Sequence, residues 1–410
     1  RCSTWRCDSI TKGGWYNGEA TRINNRIGDK LSQRPLRVCY FGTYRAEYSR
    51  NQIMIEGLRQ VGIEVILCHE PFWQSIEERV QLTKGGWKSP KFWGRVVRAY
   101  TRLVRQYQQI GDYDVMVVGY PGQFDVFLAR FLTRLRGKPL VWDVFMSIYL
   151  VALERKLDQA SSFTVSMLRW IEKLALQQPD RLIQDTAPYV DWLSATHHVP
   201  SGKFRLVPTG ADDRLFSPQL SVPDRNDVFK VLYYGTFIPN HGVPVIIEAA
   251  RLLADEPDIK FELIGQGPDQ PESVRRSQEY QLSNITFVNW LEKSDLSQHI
   301  AAADLCLGAF GDTPQSLMTV QNKIYECLAM RKTVLTGLSP ATLAAFENGV
   351  HLALCKRNPQ ALATSIRELH QNPVLCQNMA EAGWQLFHQH YDLLHIGQTF
   401  AAALNELVKS

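Results

Sequence analysis

Apolar positions along the chain recur at two spacings, every second residue in short runs and about every 3.6 residues in longer segments. The first apolar run, residues 36–41, is rich in strand-forming residues and ends at Gly42. A segment with helical spacing follows at 51–61, and a second short apolar run lies at 64–68. This strand–helix–strand order predicts the opening of a parallel α/β sheet.

The same order continues through the first half of the chain and then begins again. Further strands of the first half are predicted at 115–118, 140–143, 181–183 and 204–207, with a helix at 124–135. A second series begins with the strand 229–234, which ends at Gly235. Its other strands are predicted at 259–264, 285–288, 305–307 and 333–335, and its helices at 243–253, 294–302 and 322–330. The sequence therefore predicts two doubly wound, Rossmann-like parallel sheets.

The two series divide the chain into parts. We expect an N-terminal extension (1–35), a first domain (36–214), a second domain (215–391) and a C-terminal helix (392–410) that has the first domain as a candidate packing partner. An acid- and proline-containing stretch at 217–227 is the predicted linker. Parallel sheets bind ligands beyond the carboxyl ends of their strands, so two facing sheets suggest one site in a central cleft.

The composition is that of a globular protein, with 45% hydrophobic and 21% charged residues among 410. The eight cysteines form no C-x-x-C pair, which favours reduced, buried thiols. No stretch reaches the roughly 20 apolar residues needed to span a bilayer, and the first residues have no apolar run of signal-peptide type. The net charge of +4 is too small to indicate nucleic acid. We therefore expect a cytoplasmic protein with no nucleic-acid partner.

Several chemical classes are disfavoured by missing motifs. Neither Gly42 nor Gly235 begins a G-x-G-x-x-G fingerprint, so an NAD-dependent dehydrogenase is not expected, and there is no P-loop. Asp112-Tyr-Asp114 spells a D-x-D motif, but it precedes a predicted strand and so lies at the wrong end of the sheet for ligand binding. The histidines show no zinc-binding spacing, and no metal site is predicted.

Motifs in the second series point to a positive assignment. A strand ends at Gly235, and Gly242 follows before an amphipathic helix. A second glycine turn, Gly265-Gln-Gly267, comes after the next strand. Residues 322–329 then read Asn-Lys-Ile-Tyr-Glu-Cys-Leu-Ala. In this order the motifs resemble the nucleotide-sugar domain of GT-B glycosyltransferases, and specifically glycosyltransferase family 4, over most of residues 36–410.

The resemblance implies a donor site in the second domain. A diphosphate needs backbone N–H groups and positive helix ends, and the helix starting near Asn322 offers both, with Lys323 in its first turn. Glu326 is expected to accept hydrogen bonds from the ribose hydroxyls. The alternative interpretation is that Glu326 is an exposed glutamate on the helix surface. The alternative for Lys323 is a solvated surface lysine. The positions implied for the donor are Gly235, Thr236, His241, Gly265, Trp290, Thr319, Val320, Gln321, Asn322, Lys323 and Glu326.

The chain also departs from the family pattern. Met318 stands where the family often has an acidic residue that contacts the donor sugar, so sugar contacts fall to backbone groups near 319–321. Thr236 and His241 stand where Arg and Lys are common in the first loop. We expect His241 to contact phosphate if its pKa is raised there.

The resemblance assigns the acceptor to the first domain. Arg45, after the first strand, is a candidate for neutralising the leaving phosphate, as is Arg50, and the alternative for each is an isolated loop arginine. Asp143 is the first candidate for an acceptor-side carboxylate, and its alternative is a helix N-cap. Asp185 and Thr186 are further cleft candidates.

A basic and aromatic segment at 84–105 is the one candidate for a further partner. It holds seven basic residues and no acid, and from Trp93 onward its apolar positions recur at helical spacing. Such a segment suits the headgroup region of an anionic membrane; the alternative is a stripe that packs on the first sheet. The basic residues are Lys84, Lys88, Lys91, Arg95, Arg98, Arg102 and Arg105, and the apolar positions are 93, 96, 97, 100, 103, 104 and 107.

Family resemblance and motifs together predict a metal-independent, retaining glycosyltransferase. It would transfer a hexose-type group from a UDP- or GDP-sugar to a hydroxyl of a glycan or lipid-linked acceptor, at the inner face of the membrane if the basic segment binds there. No cofactor is expected to stay bound. The alternatives are a sugar-nucleotide epimerase of the same fold and a non-catalytic binding partner, which Thr236, His241 and Met318 favour.

Overall fold

A computed structural model describes residues 34–72, 89–218 and 228–409. Most of the predicted N-terminal extension and linker, and Lys84, Trp87 and Lys88 of the basic segment, lie outside these ranges. The compact unit that begins at Leu36 contains two parallel sheets, each with six strands. The prediction of two doubly wound α/β sheets is confirmed.

The first sheet has the strand order β2-β1-β3-β4-β5-β6, and all its pairs are parallel. Its strands are β1 (Arg37–Gly42), β2 (Glu64–His69), β3 (Val115–Val118), β4 (Leu140–Asp143), β5 (Arg181–Gln184) and β6 (Phe204–Leu206). The helices along this half are α1 (Ser49–Gln60), α2 (Pro90–Gln109), α3 (Asp125–Arg136), α4 (Ile148–Glu154), α5 (Leu157–Ala160), α6 (Ser162–Gln177) and α7 (Ala187–His197). Both β3 and β4 are buried along their whole length. The sequence of β3 is therefore apolar throughout, whereas β4 is apolar up to its last residue, Asp143.

The second sheet has the order β12-β11-β10-β7-β8-β9, again with parallel pairs. Its strands are β7 (Phe229–Tyr234), β8 (Ile259–Ile264), β9 (Ile285–Val288), β10 (Leu305–Leu307), β11 (Thr333–Gly337) and β12 (Ala353–Cys355). The helices are α8 (Val243–Leu252), α9 (Gln270–Glu279), α10 (Lys293–Ala302), α11 (Pro314–Met318), α12 (Asn322–Ala329), α13 (Pro340–Ala345), α14 (Pro359–Gln371), α15 (Pro373–His390) and α16 (Leu393–Val408).

The last helix, α16, packs on α1 of the first half. The two helices approach so closely that a Cβ on Gly397 would lie 2.0 Å from the carbonyl oxygen of Gly57. Leu393, Ile396 and Phe400 of α16 join the apolar core on this side of the first sheet. The chain thus crosses back from the second half to the first at its C-terminal end.

Besides the packing of α16, contacts between the two halves lie beyond the carboxyl ends of the strands. The Thr186 hydroxyl, just after β5, donates to the carbonyl oxygen of Met318 at 2.5 Å. Lys293 Nζ donates to Gln52 Oε1 at 2.9 Å. The loops that follow the strands of both sheets therefore meet at one place, where a shared site is expected.

Candidate active site

Glycine turns bring the ends of β7 and β8 close together. Gly235 and Gly265 have φ angles of +135° and +140°, which side chains rarely adopt. A Cβ on Gly265 would lie 2.0 Å from the carbonyl oxygen of Gly235. Only glycine fits at this crossing.

Lys323 lies beside the first of these turns with its charge unpaired. Its side chain is buried, and Nζ makes no hydrogen bond to any described residue. Nζ lies 4.0 Å from the centre of the Tyr233 ring and would be 3.0 Å from a Cβ on Gly235. Burial lowers the pKa of Lys323 to about 7. A buried ammonium without a partner indicates that an anion belongs beside it.

The start of α12 adds to this positive environment. Gln321, its N-cap, makes no side-chain capping bond, and the first turn contains no acid. The first-turn N–H groups therefore keep their affinity for a negative group. Lys323 and Asn322 lie in that turn, so the helix end and the buried ammonium act on the same space.

His241 is held by contacts within the loop that follows β7. Its Nδ1 lies 2.7 Å from the carbonyl oxygen of Thr236 and 3.1 Å from the Tyr233 hydroxyl. Burial of the ring, together with the nearby Lys323 ammonium, lowers the pKa of His241 well below its ordinary value. Burial is the larger of these two causes, and contact of His241 with a phosphate stays a prediction. His241 holds the loop after β7 in shape as a neutral ring.

Glu326 is buried one turn further along α12, not exposed on the helix surface. The Tyr234 hydroxyl donates to its Oε2 at 2.8 Å and is the one hydrogen-bond donor to this carboxylate among the described residues. Burial raises the pKa of Glu326, and the Tyr234 bond, Lys293 and Lys323 oppose this rise. Tyr234 thereby fixes one oxygen and leaves the other able to accept.

The loop between α11 and α12 is held by its own side chains. Thr319 Oγ1 donates to the carbonyl oxygen of Gln315 at 2.9 Å, and Gln321 Nε2 lies 3.4 Å from the carbonyl oxygen of Thr319. Val320 is buried in the core of the second domain. Trp290 follows β9 and is 56% exposed, so its ring lies open to solvent.

Two residues that the sequence analysis missed organise this region. Arg357 lies after β12, and its guanidinium donates to the carbonyl oxygens of Gly311, Leu338 and Gly337. Burial lowers its pKa to about 10. It ties together the loops that follow β10 and β11, and no motif marks it because its partners are distant in sequence.

Glu154 is the second missed residue and belongs to the first domain. Its Oε1 accepts from the Gln315 backbone N–H at 2.7 Å, at the start of α11. Its Oε2 accepts from Asn240 Nδ2 at 3.0 Å, in the loop after β7. One carboxylate of the first domain thus accepts hydrogen bonds from two segments of the second domain.

Arg45 lies in the loop after β1, half-buried, with its guanidinium 5.7 Å from the centre of the Tyr48 ring. It makes no ion pair with the described residues. Asn51 fixes the loop by donating to the Arg45 carbonyl oxygen at 2.9 Å and to that of Tyr120 at 2.6 Å. The structure therefore presents the Arg45 charge at the end of the first sheet without committing it elsewhere.

Asp143 is committed to a buried ion pair. Arg50 Nε and Nη2 donate to its two oxygens, each at 2.9 Å, and both side chains are fully buried. Arg50 also donates to the carbonyl oxygen of Val207 at 2.8 Å. The structure corrects two expectations: Asp143 is neither open to an acceptor nor a helix N-cap, and Arg50 is not a loop arginine. The pair binds strands β4 and β6 to α1.

Asp185 is a buried carboxyl on this side that the described residues do not engage in an ion-pair contact like that of Asp143. It lies directly after β5 and is buried, and neither oxygen makes a well-formed hydrogen bond to a described residue. Burial raises the pKa of Asp185 to about 7, while Arg50 opposes the rise and Asp143 adds to it. Its neighbour Thr186 makes the contact with Met318 across the cleft.

The D-x-D motif lies away from this site, at the start of β3. Asp112 pairs with Lys138 at 2.8 Å, and Asp114 accepts from the Arg37 N–H at 2.8 Å. The described ranges hold no group of three or more His, Cys, Asp or Glu residues arranged to bind a metal. None of the helices they contain is long and apolar enough to cross a membrane.

Two family models match the sequence, one in each half of the chain. Residues 228–372 match a family model described as glycosyl transferases group 1, and residues 52–215 match one described as glycosyltransferase family 4. No curated protein matches the sequence significantly.

Solved structures with the same fold span nearly all of the chain. An Anabaena protein, HepE, in complex with UDP and glucose is 15% identical, with a TM-score of 0.63, and the match covers 90% of this chain and 100% of HepE. Sucrose-phosphate synthase from Thermosynechococcus elongatus is 16% identical, with a TM-score of 0.66 and coverage of 92% and 99%. A glycosyltransferase from Rickettsia africae is 12% identical, with a TM-score of 0.65 and coverage of 92% and 100%.

The two parallel sheets and the two family models, which match one domain each, define the class of the protein. It is a glycosyltransferase of the GT-B fold that resembles glycosyltransferase family 4.

Proposed function

We propose that the protein transfers a hexose-type group from a UDP- or GDP-sugar to a hydroxyl of a glycan or lipid-linked acceptor. The observation that carries this proposal is the buried, unpartnered ammonium of Lys323 beside the Gly235 turn and the start of α12. A nucleoside diphosphate supplies the missing negative charge. HepE holds UDP in the same fold, which favours a nucleotide of this kind.

The donor lies against the second domain in this proposal. Its diphosphate binds Lys323 and the N–H groups at Asn322, next to the loop of Thr236 and His241. Its ribose binds the free oxygen of Glu326, whose other oxygen Tyr234 holds. The base lies near Trp290, and the sugar contacts the backbone of the Thr319–Gln321 loop.

The transfer needs no group other than those in the cleft. The bond between the anomeric carbon and the phosphate oxygen breaks, and the acceptor oxygen bonds to that carbon. The acceptor proton passes to the departing phosphate on the same face of the sugar, which gives retention. Lys323, the α12 N-terminus and Arg45 stabilise the charge on the leaving diphosphate, and no metal is required.

The acceptor binds along the first domain. Asp185 takes the place of Asp143 as the acceptor-side carboxyl, because the oxygens of Asp143 are both occupied by Arg50. The protein works in the cytoplasm and at the membrane surface, where a lipid-linked acceptor is available. The basic helix α2 supports this location.

A panel of UDP-, GDP- and ADP-sugars with glycan and lipid-linked acceptors tests the proposal, with transfer products identified by mass spectrometry and epimers of the donor by NMR. We expect one donor class to give a product heavier than the acceptor by one sugar. Conversion of the nucleotide sugar into its epimer, with no transfer, would instead establish the epimerase alternative.

A further inference from the structure

Helices α2, α3 and α6, together with α4 and α7, pack on one face of the first sheet. Alternate residues of β1 point to opposite faces, and Cys39 and Phe41 join the core beneath α2, α3 and α6, whereas Val38 and Tyr40 join the core beneath α1 and α16. The Tyr107 hydroxyl of α2 contacts the Leu132 carbonyl oxygen of α3. The outer sides of α2, α3 and α6 therefore face in one direction.

These outer sides carry large apolar side chains that are exposed in the part of the chain that the structure describes. On each helix the exposed residues are three or four positions apart, which places them on one stripe. Trp93 is 54% exposed, Phe131 60% and Trp170 62%. We call the set the three-helix face: Trp93, Val97, Phe124, Phe127, Phe131, Leu135, Phe163, Met167 and Trp170. An exposed set of this size marks an interaction surface.

The charge of the three helices has a single sign at the surface. Their only acids are Asp125 and Glu172, and both are buried. Lys91, Arg98, Arg105 and Arg134 are exposed and make no hydrogen bond or ion pair with any described residue. Cations beside exposed aromatic rings are complementary to an anionic lipid surface.

The position of α2 relates this face to the cleft. The Tyr100 hydroxyl donates to Asp125, the first residue of α3, which also accepts from the Thr43 N–H just after β1. Pro90 lies ten residues before Tyr100, so at the usual helix rise α2 extends about 15 Å past this edge of the sheet. Trp93 and Val97 lie on that projecting part, on the side where Arg45 and Asp185 are found.

We propose that the three-helix face docks on a membrane that contains anionic lipid and thereby places the acceptor side of the cleft at the lipid surface. The docking partner is the bilayer rather than a second copy, because a second copy would bring the same unpaired cations against each other. Docking itself does not depend on the proposed function. Its purpose, to bring the acceptor side of the cleft to the lipid, rests on the proposed function.

Co-sedimentation with phosphatidylcholine vesicles, with and without phosphatidylglycerol, tests this surface at low and high salt. We expect binding that requires phosphatidylglycerol and weakens with salt. Replacing the apolar anchors together (Trp93→Ser, Phe131→Ser, Trp170→Ser) should weaken binding at least tenfold. Each cation contributes about fivefold. Replacing the four unpaired cations (Lys91→Gln, Arg98→Gln, Arg105→Gln, Arg134→Gln) should therefore also exceed tenfold.

Matched controls lie in the second domain and in α16. Val374→Ser with Leu375→Ser removes exposed apolar groups, and Lys356→Gln with Lys409→Gln removes exposed cations. Both control proteins should bind as the unchanged protein does. Circular dichroism and donor titration confirm that each variant is folded.

Two results overturn the inference. One is absence of vesicle binding by the unchanged protein at low salt. The other is a dimer, seen by light scattering, that the apolar variant converts to monomer while vesicle binding stays as it was. The donor titration is independent, since Lys323→Met should leave vesicle binding intact. Loss of donor binding with vesicle binding retained would reject the proposed function alone.

Discussion

Replacing Lys323 with methionine removes a buried ammonium and keeps a side chain of similar length. In the donor-free protein this ammonium contacts the Tyr233 ring but makes no hydrogen bond to any described residue, so its burial opposes folding. In the donor complex it neutralises the diphosphate. The substitution should therefore stabilise the donor-free protein and, at the same time, weaken donor binding.

The effect of Lys323 on the free energy of unfolding follows from the pKa of its side chain. Lys323 titrates at about 7 in the folded protein against 10.5 as its ordinary value. As pH falls below 10.5, the unfolded chain takes up this proton before the folded one does, so stability is lost down to about pH 7. Between pH 9 and pH 7 the loss amounts to about 2 kcal/mol. In Lys323→Met this part of the pH dependence should disappear.

The pH dependence of donor affinity has the opposite sign to that of the free energy of unfolding. The diphosphate favours the protonated lysine and raises its pKa, so binding takes up a proton above pH 7. Affinity should therefore fall as pH rises from 7, by up to about tenfold per pH unit. Lys323→Met should bind donor weakly and lose this pH dependence.

Urea unfolding at pH 7 and pH 9, with calorimetric titration of UDP- and GDP-sugars at the same pH values, measures both effects. Lys356→Met, at an exposed position, is the control for the loss of one lysine. If Lys323→Met is destabilised at pH 7, or if it binds donor as the unchanged protein does, the assignment of Lys323 to the diphosphate is wrong.

Other changes test the remaining contacts. Glu326→Gln should weaken donor binding by about 1.5–3 kcal/mol, since a charged hydrogen bond to the ribose is lost; unchanged affinity in the titration rejects this role. Because the pKa of Asp185 is raised to about 7, turnover should rise from pH 6 to 8, and a rise that persists in Asp185→Asn would exclude the residue. Arg50→Met leaves the Asp143 charge buried alone and should cost about 3–5 kcal/mol of unfolding free energy, measured in urea; a loss near zero would contradict the buried pair. Activity should survive EDTA, and a strict metal requirement in the assay would argue against the charge balance proposed for the cleft.

The strands were predictable because each is a short run with a clear apolar pattern. Residues 115–118, 229–234 and 259–264 have the predicted bounds. The first is apolar throughout because it is buried on both faces, whereas the last alternates because one of its faces is only half-buried. Helices α4 to α6 were missed because α4 continues the apolar run of β4 with little change of period. Nothing local distinguishes the two until they pack.

The site was predictable where a motif is contiguous and unpredictable where partners are distant. Lys323 and Glu326 belong to one helix turn, so their proximity follows from spacing. The Arg50 to Asp143 pair joins residues 93 positions apart, and the bonds of Glu154 to Asn240 and Gln315 cross between domains. Only the folded topology brings these groups together.

The apolar stripe on α2 was likewise predictable only in part. Its apolar positions form one face in the sequence, but the structure divides them. Leu103 and Tyr107 are buried against the first sheet, whereas Trp93 and Val97 are exposed. The division arises because the helix extends past the sheet edge, and helix length relative to the sheet is not visible in the pattern.

Equilibrium binding of a panel of UDP-, GDP- and ADP-sugars tests the central claim most directly, because it needs no knowledge of the acceptor. We expect saturable binding of one nucleotide class at one site, weakened at least tenfold in both Lys323→Met and Glu326→Gln and unchanged in Lys356→Met. Absence of binding by every nucleotide sugar, or binding that neither site variant alters, would contradict it.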